Sequence, residues 1–191
     1  MNESRKSKFV LNILSNKKEG FYVELGGFHS ELDSHTYLLE KDYNWNGVAI
    51  EIDKERQIEY SNNRKNDCVL ADALTFDYLN YFEKNNYPKQ IDFLSINIDP
   101  GYTLNGKMNG NPAQSLLGLI ALPLNKYRFT VITFEHDSLQ DYKNDSIKMA
   151  QREILSSLGY SLVVREWCED WWVDSNVISY PEYKNFYRID L

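Results

Sequence analysis

The chain has 191 residues, enough for about one domain whose core stands without disulfides or structural metals. Hydrophobic residues at 42 % and charged residues at 26 % fit a soluble globular chain and exclude disordered, collagenous and fibrous classes. With 21 basic and 28 acidic side chains the net charge is -7, which opposes the electrostatic attraction behind nucleic-acid binding.

No run approaches the roughly 18 apolar residues of a membrane span, and Met1 to Lys8 is polar with no signal-peptide core behind it. A cytoplasmic protein is expected. Cys68 and Cys168 make neither a disulfide framework nor a zinc ligand set, and both read as free thiols. Aromatic residues reach 14 %, which suits sugar or nucleoside surfaces and is equally explained by packing.

In chain order, Lys8 to Leu14 places Phe9, Val10, Ile13 and Leu14 on one helical face, predicting a short leading helix within residues 1–19. Five β-branched or aromatic runs follow: Phe21 to Leu25, Gly47 to Ile52, Asp67 to Leu70, Ile91 to Ile98 and Phe129 to Phe134. Between them lie helical segments at Ser34 to Asp42, Lys54 to Lys65, Phe76 to Asn85 and Ala113 to Leu122. This alternation predicts a parallel sheet covered on both faces. Tyr142 to Leu158 reads as a long helix stopped by Gly159, and Tyr160 to Trp167 with Trp171 to Val173 as an antiparallel edge hairpin. The tail from Ser175 to Leu191 is aromatic and without clear periodicity. The Gly- and Asn-rich loop from Pro100 to Pro112 follows the fourth strand on the side where such sheets bind ligands, and is either a lid or a plain connection.

Polar groups gather at successive strand ends. Val23-Glu24-Leu25-Gly26-Gly27-Phe28-His29-Ser30 is a strand breaking into glycines before a helix, where backbone can approach a ligand closely. Glu51 ends the second strand 25 positions after Gly26, near the spacing at which α/β nucleotide sites set an acid on ribose hydroxyls. Asp53 reads as a helix N-terminal acid. Asp72, beside Ala71 and Ala73, can accept from an exocyclic amine while its neighbours flank a purine, or it can cap a helix. Asn97 and Asp99 lie near the carboxyl edge of the fourth strand, and Glu135, His136 and Asp137 end the fifth, a set able to form an acid/base or metal site.

The blocks Gly20 to Gly26, Thr36 to Glu40, Gly47 to Asp53, Ile91 to Asp99, Val131 to Asp137, Leu158 to Tyr160 and Glu169 to Asp174 resemble the class I S-adenosylmethionine-dependent methyltransferases, and more narrowly the FkbM-like branch. The resemblance runs through nearly the whole chain. It implies one Rossmann-like three-layer α/β domain over residues 1–191, with a mostly parallel seven-stranded sheet and an antiparallel edge. It also implies S-adenosylmethionine as cofactor: Glu24, Gly26 and Gly27 by its methionine part, Glu51 by the ribose, and Asp72 and Ala73 by the adenine, with Phe28, Ile52 and Asn97 also at the cofactor. Asp99 and Glu135 to Asp137 would face the acceptor. The chain departs from the family's pattern at Phe28, His29 and Ser30, where the last glycine of the turn is missing, and at Asn97, where relatives carry Asp.

The expected reaction is O-methylation of a sugar or related small metabolite. His136, with an ordinary pKa of about 6.5, would act as base, oriented by Glu135 or Asp99. A divalent cation on Asp99 and Asp137 is the other possibility. The alternative function is a methyltransferase-like module that binds cofactor without turnover. Nicotinamide chemistry lacks its fuller G-x-G-x-x-G turn here, and nucleic-acid amino methylation lacks the Asn/Asp-Pro-Pro-aromatic turn.

Overall fold

Apolar runs too short for helices but bounded by turn residues become strands, and the amphipathic stretches between them become the helices that cover the sheet. A computed structural model describes residues 5–27, 29–32, 34–99, 110–136, 145–186 and 188–189. The strands are β1 (Phe21–Leu25), β2 (Asn46–Glu51), β3 (Asp67–Leu70), β4 (Gln90–Ile96), β5 (Arg128–Glu135), β6 (Tyr160–Glu166), β7 (Glu169–Asp174) and a two-residue β8 (Arg188–Ile189). The helices are α1 (Arg5–Ile13), α2 (Tyr37–Tyr43), α3 (Lys54–Asn63), α4 (Tyr78–Lys84), α5 (Gln114–Ala121), α6 (Asp145–Ser157) and α7 (Tyr180–Tyr183).

The sheet order is β3-β2-β1-β4-β5-β7-β6-β8. The first five strands run parallel, and β7 is antiparallel to both β5 and β6. The expected seven-stranded Rossmann-like sheet with its antiparallel hairpin is therefore present. The tail adds β8, parallel to β6. Strand order reverses between β1 and β4, and at that switch point the carboxyl ends of five parallel strands share one edge.

Two apolar cores lie on opposite faces. Val23, Leu25, Ile50, Leu94, Ile96, Ile132, Phe134 and Trp172 pack against Phe82 of α4, Leu119 of α5 and Leu155 of α6. Tyr22, Phe93, Val131 and Val173 pack against Phe9, Val10 and Ile13 of α1 and Leu39 of α2. Burying side chains of this size contributes about 1.5–3 kcal/mol each.

Local chemistry sets the boundaries. The Ser34 hydroxyl accepts the Tyr37 N–H, so α2 starts three residues later than its periodicity suggests. Asp53 caps α3 by accepting from the N–H groups of Glu55 and Arg56. Asp77 caps α4 by accepting from Asn80. The β6–β7 turn passes through Trp167 with a φ of 43°, in the left-handed region.

Candidate functional site

Gly26, Glu51, Asp72, Asn97 and His136 all follow or end parallel strands at the same sheet edge. Gly26 adopts a φ of +84°, donates its N–H to the Ile50 carbonyl, and would carry any Cβ to 2.0 Å from the Asn97 carbonyl oxygen. Asn97 in turn donates its N–H to Leu25. The chain leaving β1 is thus wedged between β2 and β4, and only glycine fits. A Cβ on buried Gly27 would meet Ala49 at 3.4 Å, an ordinary contact. Phe28 lies outside the described residues. Beyond it, His29 is exposed, while buried Ser30 donates to Glu59 at 2.8 Å and accepts from Asn63 at 2.9 Å, tying the turn to α3.

Beneath this turn sits a polar network that joins the candidate Glu24 to Arg64, a residue the sequence reading did not single out. Glu24 is buried and accepts from the Thr36 hydroxyl at 2.6 Å, and burial pushes its carboxyl up to about 7. Arg64 is buried beside it and donates to Glu40 (2.9 Å), the Ser30 carbonyl (2.9 Å), Ser34 (3.1 Å), Thr36 (3.0 Å) and the Tyr22 hydroxyl (3.2 Å), with its guanidinium 4.5 Å from the Tyr60 ring centre. One cation therefore ties together Ser30, Ser34 and Thr36. Nothing in Asn63-Arg64-Lys65-Asn66 separates Arg64 from a solvated surface charge, so periodicity gave no signal for it.

At the end of β2, the buried Glu51 carboxylate accepts the Asp53 N–H through Oε1 at 2.8 Å, and Oε2 has no partner among the described residues. Ile52 beside it is 70 % exposed, an apolar surface facing solvent at the crevice. Asp72 accepts the Leu74 N–H at 2.9 Å and so shapes its own turn, while the Ala73 carbonyl accepts from Tyr78. Turn-making and ligand contact use different oxygens of such a carboxylate, so both readings of Asp72 remain compatible with its place.

The expected Glu135-His136-Asp137 cluster needs a correction. Strand alternation sends Glu135 toward α1, where it pairs in register with Glu169, whereas His136 turns to the α6 face. Glu135 accepts from the Cys168 thiol at 3.7 Å. His136 is 3 % exposed, with Nε2 3.8 Å from Asp170, a carboxylate also held by Arg152 and Gln151. Burial holds its imidazole down at about 4, against the pull of Asp170. Asp99 is exposed, Asn97 is half-buried, and Asp137 lies outside the described residues, as do residues 100–109 of the suggested lid. Among the described residues no three ligating side chains gather as a metal site.

The arrangement offers a backbone wedge, a buried carboxylate and an exposed apolar side chain along one edge. Solved structures with a similar fold include the N-methyltransferase NodS from Bradyrhizobium japonicum WM9 in complex with S-adenosyl-L-homocysteine (TM-score 0.55, 10 % identity, covering 91 % of this chain and 89 % of that one). A TehB-like SAM-dependent methyltransferase from Corynebacterium glutamicum aligns at 0.51 with 9 % identity, covering 88 % and 87 %. The human methyltransferase 10 domain containing protein aligns at 0.53 with 13 % identity, covering 87 % and 78 %. The fold is that of class I methyltransferases. No protein-family model matches the sequence, and no curated protein does.

Proposed function

We propose that this chain is an S-adenosylmethionine-dependent methyltransferase of the FkbM-like branch that O-methylates a hydroxyl on a sugar or related small metabolite. The observation that carries the reading is the juxtaposition, at one switch-point edge, of the Gly26 wedge, the Glu51 oxygen that has no partner among the described residues, and the exposed Ile52. These fit an adenosyl group. Backbone at Gly26 and Gly27, flanked by Phe28 and backed by Glu24, would receive the amino-acid end. Glu51 would accept from the ribose hydroxyls, and Ile52, Asp72 and Ala73 would border the adenine, with Asn97 beneath. When bound, the cofactor supplies an electrophilic methyl group on a sulfonium. In this reading the protein's main work is alignment, because in-line displacement depends on near-contact geometry more than on reactive side chains.

Arg64 and Thr36 hold the turn and Glu24 in place. Asp99 and Glu135 stand on the acceptor side, and His136 braces β7 through Asp170. We assign residues 1–191 to one catalytic domain in the cytoplasm, a setting that suits Cys68 and Cys168, both free and buried. No described helix is long and apolar enough to cross a membrane. The net charge of -7 favours a small acceptor over nucleic acid. Incubation with methyl-labelled cofactor and a panel of hydroxylated sugars tests the reading. Label in a sugar ether supports it, heat of cofactor binding without transfer to any acceptor points to the non-catalytic module, and no heat at all overturns both.

A further inference from the structure

The strand register divides the α1 face of the sheet into rows. Tyr22, Phe93, Val131 and Val173 lie side by side as an apolar row. One step toward the carboxyl edge the row reads Glu24, Ser95, Thr133 and Trp171, and the composition turns polar although Ser95 and Thr133 are fully covered. Above this row, Lys6 of α1 is buried and reaches Glu169 at 2.5 Å. His35, just before α2, is anchored by the Ser7 hydroxyl donating to its carbonyl at 2.6 Å, and its Nδ1 lies 2.9 Å from the Ser95 hydroxyl. The Thr133 hydroxyl, 1 % exposed, has no hydrogen-bond partner among the described residues. Buried polar groups are normally satisfied, and an orphan hydroxyl paired in register with Ser95, the residue that His35 contacts, marks a place that a ligand's polar group completes.

We infer that this polar row, between α1, the segment before α2 and the upper ends of β4, β5 and β7, receives the reactive hydroxyl of the acceptor, with His35 Nε2 as the proton acceptor and the Thr133 hydroxyl pairing with a neighbouring acceptor oxygen. The assignment rests on the methyltransferase reading. With Nδ1–H donating to Ser95, the lone pair on Nε2 is free for the proton. The acceptor oxygen attacks the methyl carbon, the C–O bond forms, and the C–S bond breaks with its electron pair passing to sulfur. The hydroxyl proton passes to Nε2 and leaves later to water. One positive charge moves from sulfonium to imidazolium, so the site gains no net charge. Burial, assisted by Lys6, holds the imidazole well below its ordinary value, so it is neutral at pH 7. His136 faces the other side of the sheet and takes no part.

The chain has three histidines, His29, His35 and His136, so long-range proton–nitrogen spectra of the imidazoles of the whole protein resolve them, with His35→Gln and His136→Gln assigning two by loss of signal. Titration with S-adenosylmethionine and, separately, with S-adenosylhomocysteine compares a cationic with a neutral sulfur. The expected result is that His35 Nε2 moves on binding and differs between the two ligands, while His29 and His136 stay put. If both ligands bind by calorimetry and His35 does not respond, or His136 responds in its place, the polar row is not the acceptor site and the methyltransferase reading stands. If neither ligand binds, both fall.

Discussion

The Asn97 carbonyl oxygen occupies the space that a Cβ on Gly26 would need, 2.0 Å away, and Gly26 holds a left-handed φ of +84°. Steric clash and backbone strain therefore coincide. Gly26→Ala is expected to cost at least about 2 kcal/mol in urea denaturation, whereas Gly27→Ala, whose methyl meets Ala49 at ordinary distance, stays within about 1 kcal/mol. Equal effects would show that the wedge does not constrain the chain.

Arg64 joins α3, the segment before α2 and β1. Replacing it by Met strands the buried Glu40 carboxylate and several polar partners, with an expected loss of about 3–5 kcal/mol. Lys cannot reproduce donation in five directions, so Arg64→Lys recovers little of the melting temperature.

Glu24 and His136 give opposite pH dependences. Glu24 titrates near 7 when folded against an ordinary 4.5, so the folded state keeps a proton the unfolded chain has lost, and stability falls as pH rises between these values. His136 titrates near 4 when folded against 6.5, so the unfolded chain holds the extra proton and stability rises with pH across 4 to 6.5. Each slope is on the order of 3 kcal/mol over its window. Glu24→Gln is expected to leave a net rise, and His136→Asn a shallower rise or a fall, in denaturation midpoints from pH 4.5 to 8. Identical profiles for the two variants would contradict the assignment.

Glu51 and Asp53 look alike in sequence but hold different partners. Glu51→Ala is expected to weaken S-adenosylhomocysteine binding about tenfold or more, which corresponds to about 1.4 kcal/mol. Asp53→Ala removes the α3 cap, costing about 1 kcal/mol of stability while leaving affinity within a few-fold. Calorimetry and denaturation on the same two variants separate the roles.

Thr133→Val removes a buried hydroxyl that has no partner among the described residues, so stability is expected to hold or rise by about 1 kcal/mol. Ser95→Ala, which breaks the contact to His35, is expected to lower it. Thermal melts of the two variants check this pair.

The strands were legible because Phe21–Leu25 and Asp67–Leu70 are apolar runs closed by turn residues, and every parallel strand delivers its end to the same edge. That logic placed Gly26, Glu51, Asp72 and Asn97 together. It could not say which side of the sheet a terminal residue takes, so Glu135 and His136, adjacent in sequence, read as one cluster and stand on opposite faces. Nor could it find Arg64, His35 or Thr133. Their roles come from register and from segments distant in sequence, and a buried arginine leaves the same local pattern as a solvated one.

The most direct measurement is a crystal structure of the protein grown with S-adenosylhomocysteine. The account predicts the ribose hydroxyls on Glu51, the adenine along Ile52 between Asp72 and Ala73, and the homocysteine end against the Gly26 backbone. Ligand bound at another edge of the sheet, or a crevice that stays closed to it at saturating concentration, would contradict the account.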